Sequence, residues 1–472
     1  MKFRMFSLIF LLVLFQQSQA QEPWTLEKCI KYAIENNIQI KQQNLTVEAA
    51  GSSLKQSQLG MLPTLYANGN QQYYMGRTIN PYSFDIREDN RRTNSFGINS
   101  SVTLFQGLQK LNTMKAYEYN LRASVMNVEK EKNNVILNVA GAYMQILFNE
   151  ELVKVSENQV VLSKQQEEKT KKRVEAGTQP AGNLLDIQSQ LAQDELSLVN
   201  AKNQLQQSLL TLTQLLELKT YEGFVIVKPD ENVLNTAMVI DSMSLIVDDA
   251  MNFLPDVKSA ELQLEGYHNS MKAAMGYQSP SLTMSAGYGT YYSNRLSLYS
   301  MGAPQQVITG YVNGDPAQPV MIPQPTATER AYPFFDQLSD NRNLTLMFSL
   351  NIPIFNGYQI RNNINQSRVN YYRSQNNLEL TKKQIYKDIQ QVYLSAVAAQ
   401  KRYAATMDAV NANKEAYRYA EQKLENGIMT PVEFSTVKTK LAKSESDLLQ
   451  AKYEYVYRSR QLEFYRGKPF QL

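Results

Sequence analysis

The sequence predicts an α+β protein. It is an internally duplicated chain whose four β-strands of membrane-crossing length contribute to an oligomeric β-barrel, joined to long antiparallel coiled-coil helical hairpins. Three observations lead there. The second half of the chain repeats the first, residues 101–107 aligning with 351–357 at an offset of 250. Each half carries stretches in which apolar residues alternate with polar ones, the period of a strand with two unlike faces. Each half also carries a proline-free run, 107–175 and 357–425, with heptad-spaced apolar residues.

In chain order, Lys2 and Arg4, the apolar run 6–15 and the small-x-small triplet Ser18, Gln19, Ala20 make residues 1–20 a secretory signal. That apolar run is too short to span a bilayer. Cys29 lies well beyond it and follows Glu27 and Lys28, so lipid attachment is not expected. With no second cysteine for a disulfide, it reads as a small hydrophobe on a helix.

The first repeat occupies 21–240. It comprises a helix from Thr25 to about Gly60, strand 64–75, a polar loop 76–94, strand 95–106, a long helix 107–175, a hairpin turn 176–183, a returning helix 184–217 and a linker. The second occupies 241–472: a helix from about Ser244 to Gly276, strand 281–292, loop 293–342, strand 343–355, long helix 357–425, turn 426–432 and returning helix 433–466. Pro63 and Pro280 end the first helices. Leu344, Leu346, Phe348, Leu350, Ile352 and Ile354 alternate with mostly polar residues, as Phe96, Ile98, Val102 and Leu104 do in the first copy.

The long helices follow from the stripe Leu121, Val125, Val128, Lys132, Val135, Val139, Ala142, Ile146 and its copy from Tyr371 to Ala396. A helix of about 69 residues is roughly 100 Å long, so it must pack sideways on other long helices. The returning helices keep the stripe with Leu184, Ile187, Leu191, Leu198, Leu205 and Leu212, and with Phe434, Val437, Leu441, Leu448, Tyr455 and Leu462. Upstream of the strands the repeat offset is 217 (Ala33 with Ala250, Lys41 with Lys258). The 33 residues by which the offsets differ are an insertion within about Ser293 to Asn341.

Composition excludes much chemistry. One His and one Cys in 472 residues cannot build a His/Cys zinc site, and no G-x-S-x-G, H-E-x-x-H or phosphate-binding Gly-Lys loop occurs. No catalytic residue, metal or cofactor is expected, and His268 reads as a surface residue. Forty-eight Lys and Arg against 44 Asp and Glu are too balanced for a nucleic-acid surface. Mean hydropathy is −0.41 and no long apolar run follows residue 20, so contact with a membrane has to be through strands. Either the mature protein is fully periplasmic or secreted, or its strands enter the membrane. In the second case four strands cannot close a barrel and open edges in lipid leave backbone amides unpaired at several kcal/mol each, so chains must associate. Tyr66, Tyr73, Tyr74, Tyr288, Tyr291 and Tyr292 suit an interfacial aromatic girdle, or equally the ordinary preference of Tyr for pleated, half-buried surface.

Taken together, the duplication, the element order and local motifs resemble the TolC-like outer-membrane efflux proteins over essentially the whole mature chain. The motifs are Leu26, Ala33, Asn36 and Asn37; Ala250, Pro255, Asp256 and Val257; the strand-helix junctions Phe105 to Gly107 and Phe355 to Gly357; and the turns starting at Gly177 and Gly427. The resemblance implies a homotrimer in the outer membrane of a Gram-negative-type cell, with a twelve-stranded barrel continued by a periplasmic α-barrel. It would serve as the exit duct of a tripartite efflux pump or a type I secretion system. The implied partners are a periplasmic adaptor (membrane fusion) protein, an inner-membrane transporter of proton-driven or ABC type, and outer-membrane lipid.

The resemblance also implies site residues. The hairpin tips at Gly177, Pro180, Gly427, Thr430 and Pro431 would meet the adaptor. In the family, acids six and nine residues after the turn glycine line a narrowed mouth; the matching positions are Asn183 and Asp186 in one repeat, Glu433 and Thr436 in the other. Only Asp186 and Glu433 are acids, and each also suits the positive end of a helix dipole. A Tyr and an Arg that hold the mouth shut in some members would fall at Leu424 and Met429, so that latch is absent. Lys132 and Lys382 share one heptad position, as tube-lining or simply solvated residues.

The competing expectation is a pore-less exported coiled-coil adaptor or structural protein with a small soluble sheet. Extraction separates the two: a duct should leave the membrane fraction only with detergent, and ready release by salt alone would exclude it.

Overall fold

The tertiary arrangement, a computed structural model, describes residues 23–79, 84–229 and 240–472. The expected signal segment 1–20 lies outside the described residues, as do parts of loop 76–94 and of the linker before residue 240. The duplication is carried element by element. Helices α1 (Leu26–Asn36) and α2 (Ile38–Leu59) recur at the offset of 217 as α5 (Met243–Phe253) and α6 (Pro255–Gly276). The hairpin helices α3 (Gln109–Glu175) and α4 (Ala181–Leu215) recur at 250 as α8 (Gln359–Glu425) and α9 (Pro431–Tyr465).

The single helix expected at the start of each repeat is in fact two, broken at equivalent positions by different chemistry. Asn37 is extended and its Oδ1 accepts from the N–H groups of Gln39 and Ile40 at 2.9 and 3.2 Å, capping α2. Leu254 is extended because it precedes Pro255, whose ring disfavours a helical predecessor and which itself opens α6. The long helices start two residues later than expected. Gly107 and Leu108, and likewise Gly357 and Tyr358, have φ between 54° and 70°, a left-handed step no helix tolerates.

The chain divides into two compact units, each drawing on both repeats. The first holds the N-terminal residues to Gly51, 118–266 and 371–472. Its interior contains two cores that are copies of one another. Cys29, Ala33 and Ile40 pack with Val135, Val139, Ile146 and Leu212; Ile246, Ala250 and Val257 pack with Ile385, Ile389, Ala396 and Leu462. Cys29 is fully buried, as its reading as a core hydrophobe requires, and burial pushes its thiol up to about 12. The first core is also anchored through Tyr143, whose hydroxyl donates to the carbonyl of Trp24 at 3.1 Å and reaches that of Val227.

The second unit, 52–117 and 267–370, contains an antiparallel sheet in the order β1-β2-β3-β8. Its strands are β1 (Thr64–Ile79), β2 (Ile86–Gln106), β3 (Ser281–Ser293) and β8 (Asn343–Asn351). The stretch 76–94 is not a loop through its length, because the β1–β2 ladder continues to Ile79 opposite Ile86. Beyond Asn70 the apolar residues no longer alternate with polar ones, Tyr73, Tyr74 and Met75 being consecutive, so the strand signal fades while the backbone bonds continue. Strand β8 stops at Asn351 rather than at 355; Pro353, without an N–H, cannot extend the ladder.

The insertion 293–342 is also structured. Strand β4 (Ser297–Met301) pairs with β7 (Ala327–Ala331), β5 (Gln305–Tyr311) pairs with β6 (Pro319–Gln324), and a short helix α7 (Phe334–Asp340) follows. Fully buried Gln337 ties α7 to the end of β3: its Nε2 donates to the Ser293 carbonyl at 3.1 Å and its Oε1 accepts from the Ser293 N–H at 2.9 Å.

Gly107 illustrates how tightly the strand-helix junction closes. At φ 54°, a Cβ there would lie 2.6 Å from the Gly276 carbonyl oxygen and 2.7 Å from the Ser279 Cβ. Gly107→Ala should therefore lower the denaturant midpoint by the equivalent of at least about 1–2 kcal/mol from left-handed strain alone. Gly182→Ala, in a helix with nothing near its missing Cβ, should raise stability by up to about 1 kcal/mol. Equal midpoints for the two variants would remove the steric role assigned to Gly107.

Candidate functional site

Opposed residues of an antiparallel pair share a face, so the register sorts the four-stranded sheet into two surfaces. One carries Leu65 and Ala67, then Ile98, Ser100 and Val102, then Met284, Ala286 and Tyr288, and finally Leu344, Leu346, Phe348 and Leu350. The other carries Tyr66, Asn68, Asn99, Ser101, Thr283, Ser285, Gly287, Thr345, Met347 and Ser349. The apolar surface is uncovered: Leu344 and Leu350 are 76% and 62% exposed. Each such side chain left in water forgoes about 1.5–3 kcal/mol. Four on β8 alone thus forfeit on the order of 5 kcal/mol or more, comparable to the whole stability of many domains.

The sheet is also open. Among the described residues β1 pairs only with β2, and β8 only with β3, so both outer strands present unpaired backbone groups. The polar face has its own side-chain ladder, Asn99 donating to Asn68 at 2.8 Å. Toward the far end the guanidinium of Arg92 sits over the Tyr292 ring at 5.3 Å and that of Arg91 over Tyr74 at 5.8 Å. Among the expected girdle residues Tyr74 and Tyr292 thus sit under arginines. Such pairs suit a boundary between lipid and water.

The hairpin tips close as the turn glycines require. Gly177 at φ 73° donates to the Val174 carbonyl while the Thr178 N–H reaches back to Arg173; Gly427 at φ 72° and Ile428 repeat this with Leu424 and Lys423. The restarts differ. Pro180 is the N-cap of α4 and offers no side-chain bond, whereas Thr430 caps α9 in a reciprocal capping box with Glu433, and Pro431 takes the first helical position. The Glu433 carboxylate accepts from the Thr430 N–H at 2.9 Å, which holds it below the usual carboxylate range.

Of the four expected mouth residues, Asp186 and Thr436 line one cleft of about 590 Å³ between α4 and α9, together with Gln190, Lys440 and Lys443. Glu433 is engaged in its own cap and Asn183 occupies the matching turn of α4, its N–H donating to the Pro180 carbonyl. Where a Tyr and Arg latch would fall, Leu424 is buried with Ala420 and Phe434, and Tyr417, Met429 and Val437 pack against them. An apolar pad therefore stiffens this tip. Lys132 and Lys382 are both ion-paired, with Glu129 at 2.7 Å and Glu261 at 3.2 Å. The junction aromatics Phe105 and Phe355 are exposed beside Gly107 and Gly357.

A third feature escaped the sequence reading. Lys438 of α9 and Asp194 of α4 are 5% and 7% exposed, with Nζ and Oδ2 3.2 Å apart. Buried Ser163 of α3 bonds both, the Gln159 carbonyl accepts from Lys438 at 3.1 Å, and Gln190 donates to Asp194 at 2.9 Å. One network thus joins the hairpin of the first repeat to the returning helix of the second. Burial draws the Lys438 ammonium below its ordinary range, partly opposed by Asp194. Asp194 continues a buried heptad row with Ile187, Ala201 and Ser208, between the leucines read from the sequence. A lone charge in a core row was the available signal, since such residues fix helix register.

A family model described as "Outer membrane efflux protein" matches residues 29–217 and 246–468. Over 188 residues the chain is 25% identical to outer membrane protein TolC of Salmonella enteritidis, covering 39% of this chain and 38% of TolC's length. Among solved structures it resembles the outer membrane protein VceC of Vibrio cholerae, with a TM-score of 0.75 at 15% identity over 94% of this chain and 97% of that one. It also resembles the CmeC outer membrane channel of Campylobacter jejuni, with a TM-score of 0.73 at 15% identity over 94% and 86%. Those structural likenesses extend to both repeats and show a shared fold.

The buried network makes a sharp prediction. Asp194→Asn alone leaves the Lys438 charge uncompensated and should cost about 3–5 kcal/mol in urea unfolding followed by helical circular dichroism. Replacing Asp194, Lys438 and Ser163 together by Leu, Met and Ala should restore most of that. A triple variant no more stable than the single one would refute the charge-burial account.

Proposed function

The chain belongs to the outer membrane efflux protein family, and from that membership we propose that it is a passive exit duct through the outer membrane. The observation that carries this is the four-stranded sheet, with its apolar face uncovered and its two edge strands unpaired. Lipid covers the apolar face, and strands of further copies satisfy the edges until the barrel closes. Three copies, twelve strands, is the number the family suggests. A pore-less adaptor is not favoured: it would have to bury Leu344 to Leu350 in water-soluble form, and the sheet offers them no cover.

On this reading the helical hairpins stand in the periplasm. Their tips, Gly177 to Pro180 and Gly427 to Pro431, meet a periplasmic adaptor, and an inner-membrane transporter supplies the energy. The duct itself performs no catalysis and holds no cofactor. Residues 1–20 direct export and are removed without lipid attachment.

The matching mouth positions keep one acid in each repeat, Glu433 and Asp186. Asp186 shares its cleft with Lys440 and Lys443, so the uncompensated ring in a three-fold assembly is that of three Glu433 carboxylates. Such a ring prefers cations. Glu433 serves two ends, since its carboxylate also closes the capping box, and glutamine fulfils that capping role without charge.

The test is planar-bilayer recording of the detergent-purified trimer. Glu433→Gln should leave the channel assembled but reduce its preference for cations, and unchanged selectivity removes Glu433 as the filter. A protein that sizes as a monomer and shows no conductance in any preparation overturns the duct itself.

A further inference from the structure

The insertion in the second repeat folds into a β-ribbon that nothing in the same chain accounts for. Between Arg295 and Glu329 the only charged residue is Asp315. Tyr299, Met301, Ile308, Met321 and Ile322 are 69%, 85%, 47%, 51% and 48% exposed. A two-stranded ribbon is marginal in water on its own, and solvated ribbons ordinarily carry charges.

The pairing register makes the surface two-sided. Val307 lies opposite Ile322, and Ile308 opposite Met321, so one apolar pair projects from each face. Pro319 and Pro323 withhold N–H donors from β6, and Pro304, Pro316 and Pro325 flank the paired segments, which disfavours strand addition along β6 and lengthening of the ribbon. The apolar surface left to be covered lies on the two faces. Anionic lipid headgroups are a poor match, since no Lys or Arg lies between Arg295 and Arg330.

A second and third copy of the same chain fit both requirements. In a closed ring each subunit has one neighbour on either side, and a heterologous contact buries unlike faces against each other. We propose that the ribbons 297–331 of three copies pack face to face in a ring, each offering Val307 and Ile322 to one neighbour and Ile308 and Met321 to the other. This rests on the trimeric duct argued above. Reach is sufficient: a twelve-stranded barrel has a radius of about 12 Å, whereas the roughly 15 residues from β4 through β5 extend up to about 50 Å.

Cysteine cross-linking tests the arrangement. Cys29 is buried with its thiol pushed up to about 12, so it stays silent. The double variant Val307→Cys with Met321→Cys places one thiol on each face, where they cannot join within a ribbon. Oxidised with copper phenanthroline in intact membranes, it should run as a covalent trimer on denaturing, non-reducing gels, while each single variant stays monomeric. The proposal is overturned if the double variant remains monomeric on that gel although native sizing shows trimers and both thiols react with a maleimide. It is equally overturned if single variants cross-link as readily as the double. In both cases the duct reading stands, whereas a chain that is monomeric by native sizing removes both.

Discussion

Everything distinctive about this chain follows from a sheet that cannot satisfy itself. Strands β1 and β8 leave rows of backbone groups unpaired, and the face bearing Leu344 to Leu350 has no protein against it. In water the apolar face is the expense, and in lipid the edges are. The proposed association of chains inside a bilayer would remove both costs at once. The opposite face is polar and includes the Asn99 to Asn68 hydrogen bond, the character that the proposed barrel requires of a face turned to water.

The helical part obeys a different logic. Its apolar stripes supply attraction along two long hairpins, but identical heptads permit many registers. Specificity comes from places where the stripe is interrupted. The Lys438, Asp194 and Ser163 network ties α3, α4 and α9 together, and a slip in register would strand a buried charge. At the tips, the two repeats have diverged: one restarts behind Pro180 with no side-chain cap, the other is stiffened by the Thr430–Glu433 box and by Leu424 packed on Phe434.

Divergence also explains how a duplication keeps its geometry while changing its residues. The break between the paired N-terminal helices falls at Asn37 and at Leu254, positions 217 apart, yet one is enforced by an amide cap and the other by the following proline. The conformation was retained, and two unrelated local mechanisms secure it. The two cores behave likewise, with Cys29 where the copy has Ile246 and Val139 where it has Ile389.

Periodicity and repetition in the sequence by themselves determined the four sheet strands, the long helical hairpins with their turns at Gly177 and Gly427, and the presence of the insertion; with local motifs they carried the family resemblance. Those features are local, written in steps of two, seven or one repeat length. Strand ends were less legible: β1 and β2 run on through residues read as loop because ladder bonds belong to the backbone and leave no trace in side-chain alternation. The buried Lys438 pair, the engagement of Glu433 in a cap and the ordered ribbon within 293–342 were decided only by tertiary structure. Each depends on which distant segments meet, and the energy of a charge, a carboxylate or an apolar face is set by that company rather than by its neighbours in sequence.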